Sequence, residues 1–189
     1  MKKSLGAQTL VYPLPVWCVG SYDQDGKPNL ATVAWGGICC SKPPCVTISL
    51  RKATYTYGSI MERGAYTVNV PSADQVAIAD YCGIASGRSA DKFQVCDLTA
   101  IKSDLVDAPY AEEFPLVLEC KVIHTYEIGL HTQFIGEILD VKVDPDVIGE
   151  DGKPDILNVD PIIYATKVQK YHRVGEQIED AFQVGRTIG

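Results

Sequence analysis

The chain has 189 residues, 46% of them apolar and 22% charged, with a formal net charge of −7. This suits one folded domain over residues 1–189 with a sizeable core and excludes a disordered chain, while the acidic balance argues against a general nucleic-acid binder, which needs a basic face for phosphates. No apolar run has the length of a membrane-spanning helix, and Gln8, Pro13 and Pro15 interrupt the stretch after Lys2 and Lys3 that a signal peptide would keep apolar.

In chain order, Val16 to Tyr22 and Leu30 to Gly36 are short apolar segments on either side of DQDGKPN, whose Asp25-Gly26 and Pro28 predict a hairpin. CVTISL follows Pro43-Pro44 and carries β-branched residues, so it reads as a strand. The segment TYTYGSIMERG predicts a helix that Thr54 or Thr56 can cap and Gly64 can end, and Ala65 to Val70 predicts the next strand. Ser72 with Gln75 is a capping-box pattern opening a helix with Val76, Ala79 and Cys82 on one face, ended by Gly83. A further short helix, SADKFQVC, is expected behind Ser89. LVLECKVIHTYEI and HTQFIGEILDVKV, separated by Gly129-Leu130, predict a long antiparallel pair. PIIYATKVQKYHRV predicts two shorter strands, and EQIEDAFQVGR reads as a helical tail.

Antiparallel strands with single interposed helices and no repeated βαβ unit predict a mainly β fold, a closed or partly closed barrel with α-helical excursions. No GxGxxG or GxxxxGK[ST] loop is present, which removes the usual sequence evidence for a Rossmann or P-loop nucleotide site.

Three stretches bear on chemistry. In ISLRKATYTYGSI a strand ends at Arg51 and Lys52 and passes into a helix. Ser49, Arg51, Thr54 and Thr56 there offer hydroxyls, a guanidinium fork and helix N–H groups to one phosphate. Spacing alone balances that reading against an ordinary strand-to-helix turn with solvated cations. GIASGRSADKF is a Gly/Ser loop that lets backbone approach a ligand, with Lys92 adding a point charge, although surface loops share this composition. CCSKPPC places Cys39 and Cys40 side by side without a second CxxC pair, so burial as small apolar thiols is expected rather than a metal site. The seven cysteines are odd in number and scattered, which suits reduced thiols in a cytoplasm better than a disulfide framework. His124, His131 and His172 are too dispersed for metal ligation, and no catalytic residue is assigned.

Taken in order, DGKPNLATVAW, PPCVTISLRKATYTYGSI, SGRSADKF, GLHTQFIGEI and PIIYATKVQKYHRVG resemble the flavin reductase-like family with its FMN-binding split barrel of Greek-key type, especially the flavoredoxin branch. The resemblance spans about residue 10 to about residue 175. It implies an FMN cofactor with Asn29, Thr32, Ala34 and Trp35 beside it, and with Arg51 and Thr56, joined by Ser49 and Thr54, holding the phosphate. Lys92 is then expected to reach the flavin ring, where a cation stabilises negative charge, and His131 and Tyr164 to flank the site. The family likeness further implies a homodimer that exchanges electrons with a redox partner protein or with NAD(P)H. An NAD(P)H-dependent flavin or ferric reductase and, more distantly, a non-catalytic FMN-binding interaction module are the alternatives.

Overall fold

The computed structural model describes residues 1–188. Seven strands form one antiparallel sheet: β2 (Trp17–Tyr22), β3 (Pro28–Val33), β4 (Gly36–Ser41), β5 (Pro44–Arg51), β6 (Ala65–Val70), β9 (Leu116–Ile128) and β10 (His131–Val143). Their spatial order is β3-β2-β6-β9-β10-β5-β4. The sheet curls until β3 approaches β5, giving the mainly β barrel expected from the sequence. A small sheet of β1 (Leu14–Pro15), β11 (Ile163–Ala165) and β12 (Lys170–His172) and a ribbon of β7 (Ala100–Lys102) and β8 (Pro109–Ala111) lie outside it.

Alternation explains the barrel interior. Along β5, Val46, Ile48 and Leu50 are buried, whereas Thr47, Ser49 and Arg51 face outward. The inward set meets Val19, Ile60, Tyr66, Val68, Cys120 and Phe134 in the main core. A second core lies under α2 (Val76–Ile84) and α3 (Lys92–Val95), where Leu30, Cys82, Phe93 and Phe114 are buried with Val16 and Cys18. The last helix, α4 (Ile156–Val159), lines a cleft with β1 and β11.

The helix α1 (Tyr55–Arg63) ends at Gly64, whose φ of 62° is the left-handed conformation that glycine adopts without steric cost. Ser72 and Gln75 form the expected capping box, first as a 3-10 turn that leads into α2. Several expectations are corrected. α2 continues through Gly83 to Ile84, because Gly83 packs against Thr32 of β3 instead of turning the chain. Asp91, not Ser89, caps α3 by accepting from the Gln94 N–H. Gly36–Ser41 is a strand, and its Cys39 and Cys40 are exposed, so of the CCSKPPC thiols only Cys45 is buried. The tail forms turns and a short 3-10 segment but no α-helix. Among the described residues no helix is long and apolar enough to cross a membrane, and no group of three His, Cys, Asp or Glu side chains converges on one point.

Candidate functional site

The site is built by register. β10 pairs with β5 so that His131 stands opposite Arg51 and Gln133 opposite Ser49. The Ser49 N–H donates to the Trp35 carbonyl, which brings the end of β3 onto the same outer face. Trp35 and His131 consequently lie with their rings 6° from parallel and 6.4 Å apart. Thr32, Ala34, Trp35, Ser49, Arg51, Thr54, His131 and Tyr164 all line one chamber of about 260 Å³. Tyr171 and Gly83 also line it, over the apolar Val16, Val33 and Leu50. Tyr171 is held by donating to Asp80, and its ring tilts against Tyr164 at 5.6 Å. Arg51 is exposed and forms no ion pair among the described residues.

A second chamber of about 280 Å³ adjoins the first and shares Thr32, Leu50, Thr54 and Gly83 with it. Here α1 presents its N-terminus. Thr54 occupies the N-cap position but its hydroxyl donates to the Arg51 carbonyl at 2.8 Å and caps nothing, so the first N–H groups of the helix lack a side-chain partner. A helix start of this kind attracts an anion. Arg88 lies beside it, donating to the Ala53 carbonyl and resting 5.6 Å over the Tyr55 ring.

Lys92 enters this chamber from below. Only 3% exposed, its ammonium donates to the Leu30 carbonyl at 2.6 Å and to the Cys82 carbonyl at 2.8 Å. An ammonium has three N–H groups, so one remains for a ligand. Burial pulls its pKa below the ordinary lysine value, against the Cys82, Cys18 and Cys96 thiols, which pull it up. The chambers divide the expected residues differently from the sequence reading: Lys92 opens on the same space as Thr56, whereas Arg51 opens on the space of Trp35 and His131. Asn29 stands one layer back, its amide N–H₂ donating to the Thr56 hydroxyl at 3.0 Å and its carbonyl buried without a partner.

Arg88 and the Gly87 backbone lie in the Gly/Ser loop that the sequence marked as a candidate without giving either a role, and Tyr55 is a site-forming residue that the sequence did not single out. A Cβ on Gly87 would come within 2.4 Å of the Tyr55 ring and 2.5 Å of the Asn29 carbonyl oxygen, so only glycine lets the loop close on α1. Tyr55 is itself fixed, its hydroxyl donating to the Asp23 carboxylate at 2.6 Å. Burial pushes the Asp23 pKa up, but that bond and the Lys27 and Asp25 N–H groups outweigh it and the net shift is downward. The SGR run was a visible signal for Arg88, but the partner carbonyl is 35 positions away in the chain.

This arrangement fits a planar ligand with an anionic end. It offers parallel and tilted aromatic walls beside Arg51, an uncapped helix start beside Arg88, and one buried N–H donor.

Comparison with known proteins agrees. Residues 9–174 match the model of the flavin reductase like domain. The structure of flavoredoxin from Desulfovibrio vulgaris (Miyazaki F) is 55% identical, with a TM-score of 0.94 over 98% of this chain and 100% of that one. Flavoredoxin from Methanosarcina acetivorans is 30% identical, with a TM-score of 0.93 over the whole of both chains. A ferric-chelate reductase (NAD(P)H) of Archaeoglobus fulgidus is 28% identical over 104 residues, which is 54% of this chain and 60% of that protein. The chain therefore belongs to the flavin reductase-like family, whose split-barrel fold it shares.

Proposed function

We propose that the protein binds FMN and works as an electron-transfer flavoprotein, accepting electrons from a reduced donor and passing them to an acceptor. The observation that carries this is the uncapped start of α1, which opens on one chamber together with Arg88 and the buried Lys92 ammonium, while Arg51 lines the adjoining chamber with Thr54. Arg51, Thr54 and Thr56 hold the phosphate, with Arg88 closing on it. Lys92 turns its remaining N–H to the ring edge and places positive charge there, while Thr32, Ala34 and the Trp35, His131 and Tyr164 rings exclude water around it. Bound flavin supplies the one- and two-electron chemistry; the protein sets where charge is favoured. The flavoredoxin structures support this reading.

A second reading, an NAD(P)H-dependent flavin or ferric reductase, is favoured by two observations: Trp35 is 41% exposed, so the first chamber has an open side, and a relative is a ferric-chelate reductase. Stopped-flow mixing of the oxidised holoprotein with NADH and NADPH separates the two, since a carrier reduced only by a protein leaves the flavin absorbance unchanged. The exposed Tyr126, Ile128 and Leu130 at the end of the β9–β10 hairpin support a homodimer. The seven free cysteines suit a reducing compartment, and we place the protein in the cytoplasm.

The test of the main reading is direct. Purified protein is expected to be yellow, with an equivalent of FMN released on denaturation. Colourless protein that takes up no FMN at micromolar concentration would refute it.

A further inference from the structure

Beyond Val174 the chain leaves the body. Every residue from Gly175 to Ile188 is exposed, and Ile178, Phe182 and Ile188 are 93%, 91% and 90% exposed. The hydrogen bonds of this arm stay within it: Gln177 donates to the Asp180 carboxylate, the Gln183 and Val184 N–H groups to the Asp180 carbonyl, and Thr187 to the Val184 carbonyl. Isolated exposed apolar side chains are ordinary, but three large ones on one acidic arm held by no other part of the chain are a surface awaiting a partner.

The same chain carries a complementary surface. A cleft of about 490 Å³, walled among others by Leu14, Pro15, Leu116, Ile156 and Ile163, is almost wholly aliphatic, and Val174 forms part of its wall. The arm thus starts at this cleft and leads away from it. Strand β11 forms one wall, and the β11–β12 hairpin carries Lys167 and Lys170, neither in an ion pair among the described residues. The arm brings Glu176, Glu179 and Asp180, likewise without a cation. Apolar anchors meet an aliphatic cleft, and acids meet lysines. Because arm and cleft lie on one chain, two copies related by a two-fold axis satisfy both pairs at once.

We propose that residues 175–188 are an exchange arm, which docks through Ile178 and Phe182 in the aliphatic cleft of a second copy of this chain. This rests on the dimer reading above and specifies how the dimer is fastened.

The test uses the full-length, flavin-loaded chain with a photoreactive benzoylphenylalanine in place of Phe182. Irradiation is expected to link two chains, with the cross-link mapping to the cleft around Ile156 and Ile163. A link within one chain, at another surface, or none at all overturns the proposal. In parallel, Phe182→Asp, at a fully exposed position that folding does not need, should raise the dimer dissociation constant about tenfold or more, with the bound-flavin spectrum unchanged. An unchanged constant also overturns it. Sedimentation separates the two failures. Wild-type protein that is monomeric at high micromolar concentration ends the dimer reading and the arm together. A wild-type dimer indifferent to Phe182→Asp ends the arm alone.

Discussion

The two chambers of the site share Thr32, Leu50, Thr54 and Gly83 yet are held in opposite ways. The inner one depends on a buried cation tied to two carbonyls and a glycine wedged between Tyr55 and Asn29. The outer one is made of partly exposed rings and an arginine with no protein partner. A group whose bonds are to the protein carries stability as well as binding, whereas a group left free is there for the ligand alone. Substitutions in the inner chamber should therefore reduce stability and flavin binding together, and those in the outer chamber should separate them.

The largest effect is expected at Lys92. Lys92→Met keeps much of the apolar stem but leaves the Leu30 and Cys82 carbonyls buried without donors, which costs about 2–4 kcal/mol. Thermal melts of the flavin-free protein should show this loss, and spectroelectrochemistry of whatever holoprotein forms should show a lower reduction potential. A flavin-free stability equal to wild type would break the contrast.

Arg51→Ala should leave the melting of the flavin-free protein unchanged. FMN affinity should fall by the value of a charge-assisted bond, about 1.5–3 kcal/mol or tenfold and more. Riboflavin, which has no phosphate, should bind nearly as before. Equal losses for the two ligands, read by fluorescence titration, would move Arg51 from the phosphate to the ring or the fold.

Gly87→Ala is the sharper test of the inner wall. Its methyl group must displace the Tyr55 ring, and about 1–2 kcal/mol of stability should be lost with weaker FMN binding, although no chemical group that touches the ligand is removed. A silent Gly87→Ala would mean that the loop closes less tightly than the contact with Tyr55 requires.

The smallest effect concerns acid. Asp23 has a lowered pKa in the folded state, so its bond to Tyr55 adds stability above the unfolded value of about 3.9 and loses it as pH falls through the lower folded value. Wild-type and Asp23→Asn proteins should differ in stability at pH 7 and converge below about pH 3 by circular dichroism. A gap that persists in acid would show that Asp23 acts through packing rather than charge.

Much of this molecule was legible locally. Thr54 and Gly64 bracket α1, Ser72 and Gln75 open the turn into α2, and Gly129-Leu130 joins the two long strands, because each signal lies within a few residues of the structure it specifies. The expectations that failed depended on distant partners. The thiols of CCSKPPC look buried until β4 is found at the edge of the sheet, where Cys39 and Cys40 are exposed, and Gly83 ends no helix because Thr32 packs on it. EQIEDAFQVGR has a helical pattern but stays exposed and packs on no other part of its own chain, and a short helix without packing is marginal.

The site divides the same way. The sequence by itself determined the strand-to-helix passage at Arg51 with its hydroxyls and the order of motifs that marks the family, whereas that Thr54 leaves the helix start uncapped came from the structure. Only the tertiary structure decided that His131 stands opposite Arg51, that Arg88 crosses to the start of α1, and that Lys92 is anchored to carbonyls of β3 and α2 rather than solvated. The physical reason is range. Caps, turns and alternation are set by neighbours along the chain, whereas register and the partners of a buried charge are set by which strands the whole core brings together.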